Sequence, residues 1–503
     1  MKSGHNVQAH GFVRSVLGGM ALVWLASGCG SAASEPESLG DLGQELHAGH
    51  GHRRHHPGGA QNGGNPAGSN NGPVCSNSAL LNQDELFQQV NDDLARADAE
   101  DRPFQRYLTI ANRVGELGCG AGLDGERAAL TKALNSVSID ARPRQPVPID
   151  VDQELFRIDL RDYQWDRAIV VDGVRFSDAW EALIAQSPYA LEYSGDDADD
   201  AKADTGTAVP LLFSNALVAA VARAPLYYAL LDIPADADDF LRDDLGIDVA
   251  SGETARAGFS AEAQGGDASF LAQRFELQVR AGVAWQISEF GDLFNDPLGS
   301  ADGEREIVFS LPNGLQGHIL ADANGRVRSS SNVLIDALES DGRAQIATSF
   351  FRSRASGVQL EDEVRDFVRN NPRNFGAAER AAIRAAFPRQ RELQQLLDGD
   401  NAIFSRSLEL IGLDINSSPE PVSQSFADFD ADVDLETAAG DLLVSPQELS
   451  DNIDLLDPVL SVLAGGGKVD RDDFNALYAK SACILTTVLE NQVDPAVCDP
   501  LFR

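Results

Sequence analysis

The sequence predicts a mainly α-helical fold that contains one small β-hairpin. Two stretches, residues 76–140 and the chain beyond residue 359, repeat apolar side chains at helical spacing. Between them, residues 304–321 alternate apolar and polar side chains around a Pro-Asn-Gly turn, which is the pattern of a hairpin. The chain has 503 residues, of which 43% are hydrophobic and 23% are charged. This length and composition suit two or three globular domains.

Residues 1–28 are predicted to be a lipoprotein signal peptide. An apolar run at 15–26 follows two basic residues, and this run has signal-peptide length and is too short to span a bilayer. It ends in Ala26-Ser27-Gly28-Cys29, which resembles the lipobox of bacterial lipoproteins, where the cysteine becomes the lipidated N-terminus. Because Gly30 and not aspartate follows, we expect an outer-membrane lipoprotein of the cell envelope, facing the periplasm or the cell surface. The alternative is an ordinary secretory signal with an incidental cysteine.

Residues 29–75 are predicted to be a disordered tether, because Gly, Ser, Asn, Pro and His dominate and large apolar side chains are scarce. The tether contains five histidines, His47, His50, His52, His55 and His56. Neutral imidazoles at this density can bind Zn, Cu or Ni, although Arg53 and Arg54 among them oppose a bound cation. The alternative is a low-complexity linker that is rich in histidine by chance.

Four cysteines remain once Cys29 is assigned to the lipid: Cys75, Cys119, Cys483 and Cys498. An even number in an exported chain indicates disulfides, and four cysteines allow three pairings. Proximity in the sequence favours Cys75–Cys119 and Cys483–Cys498. The cysteines lack CxxC spacing, which argues against a structural zinc site.

Residues 76–140 are predicted to form an N-terminal helical segment of three helices. Asn82, with Glu85 three residues later, predicts the cap of the first helix. We expect the second helix to run from Pro103 to Gly118, and the third to follow Asp124.

The remaining folded chain is divided at two points. Residues 141–149, RPRQPVPID, break the helical pattern and mark the start of a segment, 141–330, that contains the hairpin. Residues 331–503 are predicted to be a second helical domain. Helical spacing there predicts helices at 377–387, 401–412, 433–443, 446–456 and 470–485.

Charge and motifs exclude several functions. The net charge of -38 opposes nucleic-acid binding, since phosphates would be repelled. The chain lacks G-x-S-x-G, a phosphate loop, a dinucleotide fingerprint and HExxH, so no enzymatic activity is predicted. His318 is the single histidine outside the leader and the tether, and its alternating context predicts a partly exposed strand residue.

A set of phrases in fixed order resembles a family of exported bacterial cytochrome c-like proteins, common among myxobacteria and planctomycetes. The phrases are RIDLRDYQW (157–165), APLYYALLDIP (224–234), LGID (245–248), EREIVFSLPNGLQGHIL (304–320), EPV (420–422) and DVDLETAAGDL (432–442). The resemblance runs from about residue 105 to 480, and the LPNGLQG phrase is its most specific part. It implies a cytochrome c-like helical domain and, about thirty residues after the hairpin, a haem attachment segment of the form S-C-x-x-C-H-x-x-G.

The corresponding segment here, residues 349–357, keeps the flanking Ser349 and Gly357 but has lost the attachment residues. Phe350 and Ser353 stand at the two cysteine positions, and Arg354 stands at the histidine position. Because haem attachment needs the thiols and the imidazole, we predict that covalent haem is absent and that the chain has no cofactor. We expect Phe350 and Phe351 to fill part of the vacated space, and Arg354 to pair with a carboxylate.

Three functions follow from these observations. The first is a lipid-anchored, haem-free, cytochrome c-like binding or scaffold module. It contacts the membrane through its lipid, and its partner is an envelope protein. The second is an electron-transfer protein that binds haem non-covalently through His318. The third is metal handling through the histidine-rich tether.

Overall fold

The computed structural model describes residues 82–260, 268–301, 303–336, 342–488 and 498. Cys29, the tether histidines and Cys75 lie outside these residues. The prediction of a mainly α-helical fold with a single small hairpin is wrong, because the structure is 46% helical and 17% strand and contains a five-stranded antiparallel sheet. The fold is therefore mixed, and the predicted hairpin is one part of a larger sheet.

Sixteen α-helices are described. In chain order they are α1 (Gln83–Leu94), α2 (Val114–Leu117), α3 (Asp124–Ser136), α4 (Ala179–Gln186), α5 (Asp196–Thr205), α6 (Ser214–Val221), α7 (Leu226–Leu230), α8 (Ala237–Asp239), α9 (Thr348–Ser353), α10 (Val364–Asn370), α11 (Ala377–Ala386), α12 (Gln390–Leu410), α13 (Pro421–Asp430), α14 (Leu435–Asp441), α15 (Pro446–Asn452) and α16 (Arg471–Cys483). The 3₁₀ turns are Arg102–Phe104, Ala111–Arg113, Gly120–Leu123, Leu160–Tyr163, Ile453–Leu455 and Pro458–Gly465, and two π-turns are Phe240–Asp244 and Ile484–Val488.

The first sheet has four strands, and its order is β2-β3-β1-β6. These strands are β1 (Gln105–Thr109), β2 (Val147–Pro148), β3 (Leu155–Asp159) and β6 (Leu211–Phe213), with a separate two-stranded hairpin of β4 (Ile169–Val171) and β5 (Val174–Phe176). Strand β1 is antiparallel to β3 and parallel to β6. The sheet therefore joins strands from both sides of residue 140.

The predicted helix from Pro103 to Gly118 is wrong, since this stretch contains β1 and only the short helix α2. All five residues of β1 are buried. A strand that is covered on both faces need not alternate apolar and polar residues, so the sequence Gln-Arg-Tyr-Leu-Thr gives no local sign of a strand. Gly118 does end α2, with a φ of 71°.

The second sheet is an antiparallel meander in the order β11-β10-β9-β8-β7. Its strands are β7 (Glu253–Ser260), β8 (Ser269–Glu276), β9 (Val283–Glu289), β10 (Arg305–Ser310) and β11 (Gln316–Ala321), and a further pair is β12 (Ser330–Ile335) and β13 (Arg343–Gln345). The predicted hairpin at 304–321 is confirmed as β10 and β11, which pair from Arg305↔Ala321 to Ser310↔Gln316. Gly314 supplies the positive φ of 83° that its turn needs.

Several predicted helices are confirmed. Helix α1 begins with a complete capping box between Asn82 and Glu85, and its buried face carries Leu86, Val90 and Leu94. The third predicted helix is α3. Beyond residue 359, α11, α14, α15 and α16 fall within or close to the predicted ranges, whereas α12 begins eleven residues before the predicted start at 401.

One continuous core joins the early and the late parts of the chain. Helix α13 packs against α3, α6 and α9, and α14 packs against α2. A smaller apolar cluster lies where β7 and β8 meet α10 and α11. This arrangement places α9, the segment predicted to be a degenerate haem site, against the second sheet.

Candidate functional site

The candidate site lies where α9 covers β11. Phe350 and Ser353 belong to α9, Arg354 follows it directly, and His318 lies on β11. We call His318, Phe350, Phe351, Arg354 and Lys132 the His318 cluster. The predicted lipidation site, Cys29, and the five tether histidines fall outside the described residues, so these assignments stay predictions.

Local backbone chemistry explains the two flanking residues. The Ser349 hydroxyl accepts a hydrogen bond from the Gln345 amide at 2.9 Å, which ties the start of α9 to β13. Gly357 has a φ of 83°, and a side chain at this position would collide with Asn401. The Asn401 side chain also bonds both backbone polar groups of Val358. Serine and glycine therefore have structural roles here that require no cofactor.

Three aromatic rings pack in the centre of the cluster. The His318 ring stacks on Phe350 with centroids 5.9 Å apart and meets Phe351 edge-on at 5.8 Å. Phe350 is 3% exposed and Phe351 is 4% exposed. The two phenylalanines thus lie against the face of β11 that carries His318.

The expectation that His318 is partly exposed is wrong, because only 1% of its surface is accessible. Alternation along a strand indicates which face a side chain occupies, but it does not indicate whether another element covers that face. Here α9 covers it, and the Tyr227 hydroxyl accepts a hydrogen bond from the His318 amide at 2.9 Å.

Arg354 forms a buried ion pair with Glu306 of β10. The guanidinium makes two bonds, Nε to Oε1 at 3.0 Å and Nη2 to Oε2 at 2.5 Å. Both side chains are 3% exposed. A bidentate pair satisfies both carboxylate oxygens and ties the end of α9 to the second sheet.

A second buried ion pair, Lys132–Glu420, adjoins the His318 cluster through Lys132. Lys132 of α3 lies 2.8 Å from a carboxylate oxygen of Glu420, and the two side chains are 5% and 3% exposed. Burial opposes the charge of Glu420, but Lys132 and the hydrogen bond from the Ser423 amide lower its pKa below the ordinary value. The Lys132 ammonium also lies 5.8 Å from the centre of the Phe351 ring.

Lys132 and Glu420 were not predicted as site residues, because sequence reasoning had no local signal for them. The pair joins residues that are far apart in the chain, and although Glu420 begins the EPV phrase, that phrase gives no sign of a partner at Lys132. Glu420 stands directly before Pro421 at the start of α13, where a carboxylate caps a helix. That position identifies a cap, but it does not identify the cap's buried partner.

His318 is held in its neutral form. Burial, together with the positive charges of Arg354 and Lys132, lowers its pKa to about 3. Its Nδ1 atom has no hydrogen-bond partner within the described part of the chain. The imidazole therefore carries no proton charge at neutral pH, and the two neighbouring cations oppose a metal ion on the free nitrogen.

The space around His318 is small. The cavity lined by Lys132, His318, Phe351 and Arg354 has a volume of about 10 Å³. This is room for one water molecule, whereas sites for small organic ligands measure about 300–1,000 Å³. The residues present also do not fit covalent haem, since Phe350 and Ser353 offer no thiol and Arg354 offers no imidazole.

The buried histidine makes stability depend on pH. An unfolded histidine takes up a proton near pH 6.5, whereas His318 does so only near pH 3, so acid favours the unfolded chain. The free energy of unfolding should therefore fall by about 1.4 kcal/mol for each pH unit below 6.5 through this residue alone. The free energy of unfolding of His318→Phe, measured by denaturant unfolding, should therefore decline less steeply between pH 6 and pH 4. The difference in slope from the wild type should be about 1.4 kcal/mol per pH unit. Equal slopes in the two proteins would contradict this assignment.

A second buried polar network lies apart from the His318 cluster. The Asp441 carboxylate accepts bonds from Asn112 at 2.9 Å, Tyr189 at 3.1 Å and Arg471 at 2.9 Å. Asp441 is 1% exposed. The network joins α14 and α16 to the 3₁₀ turn after β1, and its carboxylate is fully engaged in these bonds.

The cysteines are only partly described. Cys483 is bonded to Cys498, with Cα atoms 5.9 Å apart. Cys119 is also disulfide-bonded. Its predicted partner, Cys75, lies outside the described residues, so the Cys75–Cys119 pairing stays a prediction.

Within the described ranges, no group of three or more His, Cys, Asp or Glu side chains is placed to hold a metal ion. Among the helices described, none has the length and apolar character needed to cross a membrane.

Comparison with known proteins adds no relative. No family model matches the sequence, and neither the curated proteins nor the solved structures contain a match. The likeness to exported cytochrome c-like proteins therefore stays an expectation based on the quoted phrases.

Proposed function

We propose that the protein is a haem-free binding or scaffold protein of the cell envelope, held on the outer membrane by a lipid on Cys29. The closed packing of the His318 cluster is the observation that supports the absence of haem. The mature chain would contact the membrane through its lipid and a second envelope protein through its folded part.

The closed packing opposes a haem in two ways. Phe350 and Phe351 occupy the space against His318, so a porphyrin would have to displace two buried rings. It would also have to separate Arg354 from Glu306, and breaking a buried ion pair costs about 3–5 kcal/mol. Binding would have to offset both costs.

The buried charges support a structural role over a catalytic one. Lys132 with Glu420, Arg354 with Glu306, and Arg471 with Asp441 each join segments that are distant in the sequence. Partners that are this deeply buried hold elements together and are not accessible to a substrate. This supports a non-enzymatic function.

A second candidate function, electron transfer through non-covalent haem, has one observation in its favour. The Nδ1 atom of His318 is free of hydrogen bonds within the described residues. Binding through this atom requires a different arrangement of α9 from the one observed. Haem titration separates the two candidates.

Anchoring is tested by Cys29→Ala. This variant should remain as uncleaved precursor or move to the soluble fraction, because the lipid acceptor is lost. Fractionation of cells followed by detection of the chain measures this. Ser31→Ala, two residues further on, is the matched control and should be processed and retained as the wild type is. Normal processing and retention of Cys29→Ala would refute the lipid anchor.

The scaffold role is tested by chemical cross-linking in intact cells that carry the full, anchored chain. We expect the same envelope protein to be cross-linked in repeated experiments, and to be lost when cells express the Cys29→Ala variant. If the chain is cross-linked to no other envelope protein, the scaffold role is wrong.

A further inference from the structure

The chain around α11 carries a basic surface on an otherwise acidic protein. Residues 364–391 contain seven arginines and two acidic residues, whereas the whole chain has 40 Lys+Arg against 78 Asp+Glu. This segment includes α10, α11 and the start of α12. The local charge is therefore opposite in sign to that of the whole chain.

The arginines of this segment divide into two groups. Arg365 and Arg380 donate hydrogen bonds to backbone carbonyl groups, and Arg369 is paired with Asp366 at 3.0 Å. The other four are exposed, and no carboxylate in the described ranges lies within ion-pair distance of them. These four are Arg373, Arg384, Arg389 and Arg391. Their guanidiniums are free to pair with carboxylates of another molecule.

Helix α11 leaves most of its own surface uncovered. It packs on α10 and β7, and Ile383 is the one residue of this helix that is buried. Its exposed alanines are Ala377, Ala378, Ala381, Ala382 and Ala385. Because these side chains are small, larger apolar side chains of another molecule can lie against the helix. We call the exposed face of α11 together with the four unpaired arginines the Arg384 surface.

A second surface has the opposite chemical character. Leu455, Val459 and Val462 are 43%, 46% and 47% exposed. They belong to the last two 3₁₀ turns, which contact each other. Val459 and Val462 share one face of their turn, since residues three apart align in a 3₁₀ helix. Neighbouring exposed apolar side chains with a polar rim are typical of a surface that a partner covers.

Carboxylates stand beside these apolar side chains in the chain. Asp451 and Asp454 are exposed, and neither is paired with a base in the part of the chain that the structure describes. Residues 407–467 contain thirteen acidic residues and no base. We call Leu455, Val459, Val462, Asp451 and Asp454 the Val462 surface.

We propose that the Arg384 surface of one copy of this chain binds the Val462 surface of another copy. Unpaired guanidiniums then meet unpaired carboxylates, a pairing that arginine makes with two parallel hydrogen bonds. The alanine face of α11 meets three larger apolar side chains. Because the contact joins two different surfaces, it is heterologous, and every copy can take part in two such contacts.

The charge of the whole chain favours this occupant over an extended polyanion. A membrane or a nucleic acid that reached the Arg384 surface would also approach the acidic residues around it. The net charge of -38 makes that approach repulsive within the screening length, about 8 Å at physiological salt. A contact confined to two complementary surfaces brings opposite charges within that distance.

The test is disulfide cross-linking between purified full chains in about 0.15 M salt with oxidised glutathione. One chain carries Ala382→Cys on the Arg384 surface, and the other, of different size through a tag, carries Ser461→Cys between Val459 and Val462. We expect the mixed dimer to form at least about tenfold faster than with the control Asp200→Cys, which lies on α5 outside both surfaces. Chains without an added cysteine give the background rate.

Charge reversal tests which groups hold the contact. Adding Arg384→Glu and Arg389→Glu to the Ala382→Cys chain should slow formation of the mixed dimer by about tenfold or more, because like charges then face each other. Adding Asp451→Arg and Asp454→Arg to the Ser461→Cys chain should restore the rate. Unfolding curves that match the wild type show that each variant is folded.

Four results would overturn the proposal. They are a mixed dimer no faster than the Asp200→Cys control, an equally fast dimer of one cysteine variant with itself, no effect of the first charge reversal, and no recovery with the second. Absence of the mixed dimer together with flotation of the chain on phosphatidylglycerol vesicles would assign the Arg384 surface to an anionic membrane instead. This inference goes beyond the proposed function, and its failure would leave the lipid anchor and the absence of haem unaffected.

Discussion

Phe350→Ala should lower the free energy of unfolding by about 3–5 kcal/mol, the range for a buried phenylalanine. Phe350 is 3% exposed and stacks on His318, so the shortened side chain leaves a cavity between α9 and β11. Denaturant unfolding monitored by circular dichroism measures the loss.

Phe350→Leu is the control for this prediction. Leucine keeps most of the volume, so the loss should stay below about 1.5 kcal/mol. If Phe350→Ala is as stable as the wild type, the residue does not fill a packed space. The cavity-filling explanation of the His318 cluster would then be wrong, even in a protein without haem.

Glu306→Gln should also destabilise the protein strongly, by about 3–5 kcal/mol. The substitution keeps the shape of the side chain but removes the negative charge that pairs with the buried Arg354 guanidinium. Removing one charge of a buried ion pair is what makes this loss large. Equilibrium unfolding at pH 7 provides the measurement.

An exposed ion pair provides the matched comparison. Arg369 and Asp366 lie 3.0 Å apart on α10, with side chains 70% and 64% exposed. Asp366→Asn should cost less than about 1 kcal/mol, because solvent screens this pair. Similar losses in Glu306→Gln and Asp366→Asn would show that the Arg354–Glu306 pair is not buried in solution.

Local signals were enough to predict some elements. Asn82 and Glu85 form the capping box that their spacing predicts, and the Pro-Asn-Gly turn produces the hairpin of β10 and β11. In both cases the residues that determine the structure are neighbours in the chain. Their chemistry could therefore be inferred without knowledge of tertiary contacts.

Most strands could not be predicted, because tertiary contacts determine them. Strand β1 is buried on both faces, so its sequence carries no alternation. Strand β8 is similar: its six central residues, 270–275, are all buried, and they include Gln273 and Arg274. The Arg274 charge is paired with Asp400 of α12, a partner that no local pattern reveals.

The candidate site was predicted in part. The sequence placed Phe350, Phe351 and Arg354 in one segment, but it did not show that this segment lies against His318. That contact depends on the packing of α9 on the second sheet. The same packing brings in Lys132 from α3, a residue that sequence analysis did not connect with the segment.

The absence of haem is the claim on which the proposed function depends most, and haem content tests it directly. The full chain is produced in a host with complete cytochrome c maturation, assayed by pyridine haemochrome, and then titrated with haemin while the Soret band is recorded. We expect no covalent haem, and no stoichiometric Soret band that is sensitive to His318→Phe. Stoichiometric covalent haem, or a one-to-one Soret complex that is lost in His318→Phe, would contradict the account.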